Sequence, residues 1–364
     1  MAGLSCGIVG LPNVGKSTLF NALTANVAEA SNYPFCTIDP NIGVVEIYDP
    51  RLEKLLELSH SKRLLYATTQ FLDIAGLVAG ASKGEGLGNK FLSNIHETDA
   101  IIHLVRCFED IDVVHVTGQV DPIQDMEVIN TELVLADLQM AEKIADKLEK
   151  QSRGNKDLLP VMAVIRKAID HLNENQPIRT MELSDEEWEF MRPYQFLTQK
   201  KVLYVANVSE DSLPEMENEY VRQVREFVEK EGSEMIPICA KLEQEIAQLE
   251  PEERGEFLQD IGLEESGLQR LGKASFKMLG LITYLTTGEQ ETRAWTIHDG
   301  DTAVEAAGKI HGDIQKGFIR AEVVPYEEMI KYGGRVGAKE KGKLRSEGKD
   351  YVVKDGDVIL FLHN

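Results

Sequence analysis

Cysteine is scarce in this chain, with four residues, Cys6, Cys36, Cys107 and Cys239, in 364 positions. They form no Cys-x-x-Cys pair, which argues against a disulfide framework or a thiolate zinc site and for reduced thiols. An apolar run of the roughly 18 residues that a membrane span requires is also missing. The opening Met1-Ala2-Gly3-Leu4-Ser5 lacks the basic start of a signal peptide, so a cytoplasmic chain with no membrane partner is expected. Positive charge is in deficit as well: 39 Lys and Arg face 61 Asp and Glu, a formal net charge of −22. That balance excludes wholesale coating of nucleic acid or anionic membrane, because both reward a cationic partner. Any contact with RNA has to be local. Internal repeats and low-complexity tracts are absent.

What remains, 43% hydrophobic and 27% charged, is the composition of a folded chain with sequence for two or three domains. Residues 4–9 read as a short buried strand, and the glycine-bearing loop behind them runs into residues 17–23 at helical spacing. Further apolar runs at 69–74, 100–108, 202–208 and 235–240, separated by helical stretches, predict an α/β fold with a mainly parallel sheet and helices on both faces. Between Met126 and Arg153 apolar residues including Leu133, Leu135, Leu138, Met140, Ile144 and Leu148 recur at helical spacing among charges, which predicts a long amphipathic helix. Gly154-Asn155 is expected to turn it, with residues 158–173 returning as the second arm of an inserted hairpin. This pair is either a solvated pair of domain helices or a partner-binding arm. Past Lys277, a strand at 294–297, a helix at 302–311 and a strand at 355–361 predict a small α+β module. The expected domains are a nucleotide-binding part, 1–121 with 199–277, a helical coiled-coil insertion, 122–198, and a C-terminal module, 278–364.

Gly10-Leu11-Pro12-Asn13-Val14-Gly15-Lys16-Ser17 fits G-x-x-x-x-G-K-[ST], follows a predicted strand and opens a predicted helix. It is read as a P-loop. Asn13, Val14, Gly15, Lys16, Ser17 and Thr18 are the expected phosphate contacts, with Lys16 neutralising β/γ charge and the Ser17 hydroxyl as a Mg²⁺ ligand. Asp73-Ile74-Ala75-Gly76 ends a predicted strand, which aims the Asp73 carboxylate at a water on the magnesium and lets the Gly76 N–H reach the γ-phosphate. Between them lies Thr37 in a proline-bounded loop, read either as a further magnesium ligand or as an ordinary turn threonine.

Guanine-selective proteins of this architecture use Asn-Lys-x-Asp, whose aspartate accepts from guanine N1–H and N2–H₂. Here the run is Asn207-Val208-Ser209-Glu210. Glu210 is one methylene longer and Val208 replaces the lysine stem, and unpaired buried polar groups cost about 1–3 kcal/mol each. Adenine, with a donor beside an acceptor, suits the Asn207 carboxamide, so ATP is expected to bind better than GTP. Cys239-Ala240-Lys241 matches the short loop that closes the base pocket.

These motifs together resemble the YchF group of Obg-related P-loop ATPases from end to end. The resemblance rests on the Asn13-containing P-loop, the Thr37 loop, Asp73-Ile74-Ala75-Gly76-Leu77 with the glycine-rich run from Gly80 to Gly88, the Asn207–Glu210 loop, the helical insertion and the C-terminal module, which looks like a ubiquitin-like TGS domain. It implies slow, magnesium-dependent ATP hydrolysis and association with the 70S ribosome or its 50S subunit. A monomer is expected. The alternatives are a GTPase of ribosome assembly and a nucleotide-gated scaffold with negligible turnover.

Leu77 stands where Ras-like proteins carry the glutamine that orients the attacking water, so another orienter is needed. Of His96, His103 and His115, the last is favoured as a catalytic residue, because it falls in a loop after a predicted strand, whereas His103 sits mid-strand like a core residue. A potassium ion at Asn13, which resembles related P-loops that bind one, is the second option. Finally, residues 331–354 hold eight basic against three acidic residues, Lys331, Arg335, Lys339, Lys341, Lys343, Arg345, Lys349 and Lys354 against Glu340, Glu347 and Asp350, a local net of +5. With Tyr332 and Tyr351 available for stacking, this face is expected to touch ribosomal RNA, or else to be a solvated charged surface.

Overall fold

A computed structural model describes residues 4–29, 41–74, 87–110 and 118–364. The strands are β1 (Ser5–Val9), β2 (Ile42–Ile47), β3 (Leu64–Leu65), β4 (Ala67–Asp73), β5 (Ala100–Arg106), β6 (Val202–Asn207), β7 (Glu234–Ile238), β8 (Leu281–Thr287), β9 (Thr292–His298), β10 (Phe318–Pro325), β11 (Arg345–Glu347) and β12 (Asp357–His363). The helices are α1 (Lys16–Glu29), α2 (Pro50–Ser59), α3 (Leu87–His96), α4 (Pro122–Ser152), α5 (Leu159–Asn173), α6 (Asp185–Met191), α7 (Glu219–Glu231), α8 (Ala240–Ile246), α9 (Pro251–Asp260), α10 (Gly267–Met278), α11 (Ala303–Ile310), α12 (Gly312–Lys316), α13 (Tyr326–Lys331) and α14 (Arg335–Glu340).

The described residues fall into two compact units, 4–29, 41–43, 70–74, 87–110 and 118–270 in the first, 44–69 and 271–364 in the second. The chain passes from one to the other within β2, β4 and α10. In this division residues 122–198 belong to the first unit, and residues 44–69, which carry no motif, belong to the second.

The first sheet has the order β2-β4-β1-β5-β6-β7. β1 is parallel to β4 and to β5, β5 to β6, and β6 to β7. Every residue of β5 and of β6 is buried, as strands covered on both faces require, and both read as continuous apolar runs for that reason. The register places Ile8 opposite Asp73, Arg106 opposite Asn207, and Asn207 opposite Ile238. The motifs therefore leave the sheet at one edge, the carboxyl ends of its strands.

The predicted long helix is α4. It starts at Pro122 because Asp121 caps it, accepting from the Gln124 N–H at 3.0 Å. Val134, Ala141 and Leu148 pack with Val164, Ile165, Ala168 and Leu172 of α5, which confirms the hairpin. Buried Asp137 of α4 instead holds the segment that leads into β6, its carboxylate accepting from the N–H groups of Leu197 at 2.9 Å and Thr198 at 2.7 Å.

The second unit holds a mixed sheet, β11-β10-β12-β8-β9-β3. Its core joins Tyr284, Ile297, Phe318, Ile359 and Phe361 to Ala303, Ala306 and Ala307 of α11. Residues 44–69 are built into it: β3 pairs with β9 through Leu64 and Thr292, and Leu52 and Leu55 join a core with Leu285, Val324 and Val358. Arg51 is held by Asp49, at 2.8 Å, and Asp355, at 2.7 Å. A cavity of about 510 Å³ beside this pair is lined by Tyr48, Arg51, Phe276, Thr283 and Asp355 and contains no P-loop residue.

Candidate nucleotide site

The P-loop connects β1 to α1 as its motif requires. Asn13 has φ 65° and Gly15 φ 95°, both left-handed. At Gly15 a side chain is excluded twice: the backbone is strained for any Cβ, and that Cβ would lie 2.2 Å from Asn207 Nδ2. The Leu19 N–H donates to the Gly15 carbonyl at 3.0 Å and closes the first turn of α1. Val14 is buried, while Ser17 is exposed and Thr18 half-buried at the helix start.

Asp73 ends β4, and its Oδ1 accepts an ion-paired hydrogen bond from Lys16 Nζ. Two residues 57 positions apart are thus brought to one point. Asn207 ends β6 and is 4% exposed. Its Nδ2 donates to the Val14 carbonyl at 2.8 Å, and its Oδ1 accepts from the Ala240 N–H at 3.0 Å. The carboxamide expected to read adenine is therefore engaged at both ends by backbone. It clamps the phosphate loop to the Cys239–Lys241 loop, a role that becomes visible only when both loops are placed.

Val208 is buried, its N–H donating to the Ile238 carbonyl at 2.9 Å. Glu210 and Lys241, both exposed, form an ion pair across the two halves of the expected base pocket. Ala240 and Cys239 are buried at the start of α8, and burial pushes the Cys239 thiol above its usual value. Cys6 and Cys107 are likewise buried and free of disulfides.

His103 is 2% exposed, its ring 5.2 Å from that of Tyr204. Burial, reinforced by the Arg179 charge, lowers its pKa to about 3. It is a neutral core residue, as its mid-strand position suggests. His96 is exposed at the end of α3, its pKa lowered by partial burial and then by Lys200. Thr37, Gly76, His115 and the glycine-rich residues 80–86 lie outside the described residues.

Among the described residues there is no group of three or more His, Cys, Asp or Glu able to hold a metal. The oxygen donors at the phosphate loop, the Ser17 hydroxyl and the Asp73 carboxylate, suit a magnesium ion that keeps waters and takes its other oxygens from nucleotide phosphates. The residues present fit such an ion. No helix among the described residues is long and apolar enough to cross a membrane.

On the basic face the structure differs from the expectation drawn from residue counting. Tyr351 donates to Asp357 Oδ2 at 2.7 Å and accepts from Arg345 at 2.8 Å, with the guanidinium 5.1 Å over its ring. Arg335 faces Glu322 at 3.3 Å, and Lys343 faces Glu328 at 3.3 Å. Lys331 lies 5.2 Å over the Tyr332 ring. Lys339, Lys341, Lys349 and Lys354 are exposed.

Residues 5–153 match a family model described as 50S ribosome-binding GTPase. Residues 281–364 match one described as a protein of unknown function, the YchF-GTPase C-terminal family. A protein of Escherichia coli O157:H7 named ribosome-binding ATPase YchF is 55% identical over 363 residues, covering 100% of this chain and 99% of its own. Its namesake in Bacillus subtilis strain 168 is 53% identical over 363 residues, with 99% of both covered. A solved structure described as the Schizosaccharomyces pombe YchF GTPase superposes with a TM-score of 0.90 at 36% identity, over 100% of this chain and 99% of that one.

Proposed function

The chain belongs to the YchF family, and from that premise we propose that it is a ribosome-binding, magnesium-dependent ATP hydrolase that prefers ATP to GTP. The observation that carries this reading is the convergence of Lys16, Asp73 and the Asn207 clamp at the carboxyl edge of the first sheet.

Phosphates sit in the P-loop, where the Lys16 ammonium offsets the charge gathering on the β- and γ-oxygens. In the described structure that ammonium pairs with the Asp73 carboxylate, which supports a shared role for the two at the terminal phosphates. Ser17, Thr37 and, through water, Asp73 would hold magnesium. The ion supplies Lewis-acid stabilisation of the phosphate oxygens. Gly76 donates its N–H to the γ-phosphate.

Base discrimination passes from Asn207 to its neighbours. Glu210 carries one methylene more than the aspartate of guanine-selective sites and is engaged by Lys241. It does not present paired acceptors to guanine N1–H and N2–H₂, which leaves guanine without its usual advantage. The names of the relatives divide on this point, ATPase for the bacterial proteins and GTPase for the fission-yeast structure.

Turnover is slow, because Leu77 cannot orient water. His115 is the proposed orienter, and His115→Ala with undiminished turnover would retire it. A potassium ion at Asn13 is the alternative, and equal rates in potassium and sodium buffers would eliminate that. The ribosome is the partner, met through the helical insertion and the basic face of residues 278–364, read as a TGS domain. Exposed Lys339, Lys341, Lys349 and Lys354 suit rRNA phosphates, whereas Arg345 and Tyr351 hold each other. The test is phosphate release from ATP with and without ribosomes. Stimulated release is the expected result, and silence in both conditions would mean a nucleotide-gated scaffold.

A further inference from the structure

Glu243 is 1% exposed, on a helix that opens with the base-pocket loop. Its two carboxylate oxygens take different partners: Oε1 accepts from the Gly267 N–H at 2.7 Å and Oε2 from the Leu268 N–H at 3.1 Å. Those are the first N–H groups of α10, which carry no partner within their own helix. The Gln269 N–H is met by Ser266 Oγ at 3.2 Å. The fit is close, since a Cβ on Gly267 would lie 2.8 Å from Glu243 Oε1. Arg270, one turn further on, donates to the Pro237 carbonyl of β7 at 2.9 Å. Burial raises the Glu243 carboxyl above its usual pKa, opposed by the two backbone donors and by Arg270.

α8 also packs on α1, the helix that follows the P-loop. Its first residue, Ala240, donates to Asn207, which in turn holds Val14. Lys241 meets Glu210. One connected set of hydrogen bonds therefore runs from the phosphate loop through Asn207 and α8 to Glu243 and the start of α10. Along the chain, α10 is where residues pass from the first unit to the second.

We propose that Glu243 is a positioning residue of the nucleotide site: by capping α10 it fixes α8, and with it Ala240 and Lys241, against Asn207 and Glu210. It touches no nucleotide atom. Its removal changes how tightly and how selectively the base is held, not how fast bound nucleotide is cleaved. This inference rests on the nucleotide reading above.

The experiment is equilibrium binding of fluorescent ATP and GTP analogues, with magnesium, to the full chain carrying Glu243→Gln. An amide supplies one acceptor and turns a donor towards an N–H. The expected result is an ATP affinity lower by about five- to ten-fold, a smaller ratio of ATP to GTP affinity, and a raised KM with kcat unchanged. Asp137→Asn is the control, a second buried acid that accepts backbone N–H groups but lies in the helical insertion. It lowers the melting temperature and leaves both affinities within about two-fold. If Glu243→Gln does not fold, Gly267→Ala displaces the carboxylate and reads the same quantities. Unchanged affinities in the folded Glu243 or Gly267 variant, or an equal loss in Asp137→Asn, would overturn the proposal. A wild-type chain that binds neither nucleotide would bring down the nucleotide reading itself, a failure distinguishable from loss in the variant alone.

Discussion

At the nucleotide site two buried polar side chains face backbone, Asn207 holding Val14 and Ala240 and Glu243 holding Gly267 and Leu268, beside the Lys16–Asp73 ion pair. In the second unit charged side chains face one another: Arg51 with Asp49 and Asp355, Arg335 with Glu322, Arg345 with Asp357 at 3.6 Å. The first arrangement is buried and fixes loops by groups that cannot move without breaking the fold. The second is only partly buried: the Arg51, Arg335 and Arg345 side chains keep 26%, 25% and 39% of their surface exposed, and ion pairs open to water contribute little. Backbone held by buried side chains at the proposed phosphate site thus contrasts with cations that stay partly open to solvent in the second unit.

The largest effect that separates the two regions is expected at Lys16. Lys16→Ala removes the charge that opposes the phosphates, and turnover should fall by about 100- to 1,000-fold in a phosphate-release assay while ribosome cosedimentation at the basic face persists. Equal loss of both would mean that the two regions do not act separately. Asn207→Ala comes next. It leaves a buried carbonyl and a buried N–H unpaired, so the chain should lose about 2–4 kcal/mol in denaturant unfolding and bind both nucleotides less tightly. A loss confined to ATP would restore the direct adenine contact.

Acid gives a third test. His103 has a folded pKa of about 3 against an ordinary value near 6.5, so between those values the unfolded chain binds more protons. Stability from keeping it neutral is therefore full above about 6.5 and is lost as the pH falls towards about 3. Comparison of unfolding at pH 7 and pH 5 should show a smaller decline for His103→Leu than for the parent chain, and identical declines would contradict the assignment.

Smaller effects belong to the exposed charges. Replacing Lys339, Lys341, Lys349 and Lys354 with glutamine should weaken ribosome cosedimentation and flatten its dependence on salt by about one unit of slope for each phosphate no longer neutralised. Adding Lys343 and Arg345, which already have carboxylate partners, should change less per residue. Smallest of all, Lys241→Gln should leave the midpoint of denaturant unfolding unchanged, because its pair with Glu210 is open to water.

Local chemistry made the cradle readable in the sequence. The P-loop, the Asp73 strand end, the five parallel-sheet runs and the helical hairpin each declare themselves within a few residues, through spacing or periodicity. Long-range pairing did not. Residues 44–69 carry no motif, and their place in the second unit is set by partners more than 200 positions away, Thr292 beside Leu64 and Asp355 beside Arg51. Asn207 was legible as a site residue but not as a clamp, because the pattern names the residue while only the register of β6 with β7 brings Ala240 to its oxygen. Glu243 carried no signal that set it apart from Glu245 in the same helix. Counting charges found the basic stretch, yet it gave no view of Arg345 and Tyr351 closing on each other.

Everything proposed for the base pocket depends on this P-loop serving an adenine nucleotide. Equilibrium competition between ATP and GTP for the purified chain, with magnesium and a fluorescent analogue as reporter, tests it most directly. ATP should displace the reporter at a concentration lower by about ten-fold or more, as expected when guanine finds no paired acceptors; displacement by GTP at the lower concentration would contradict that reading and make the chain a GTPase on the same phosphate cradle.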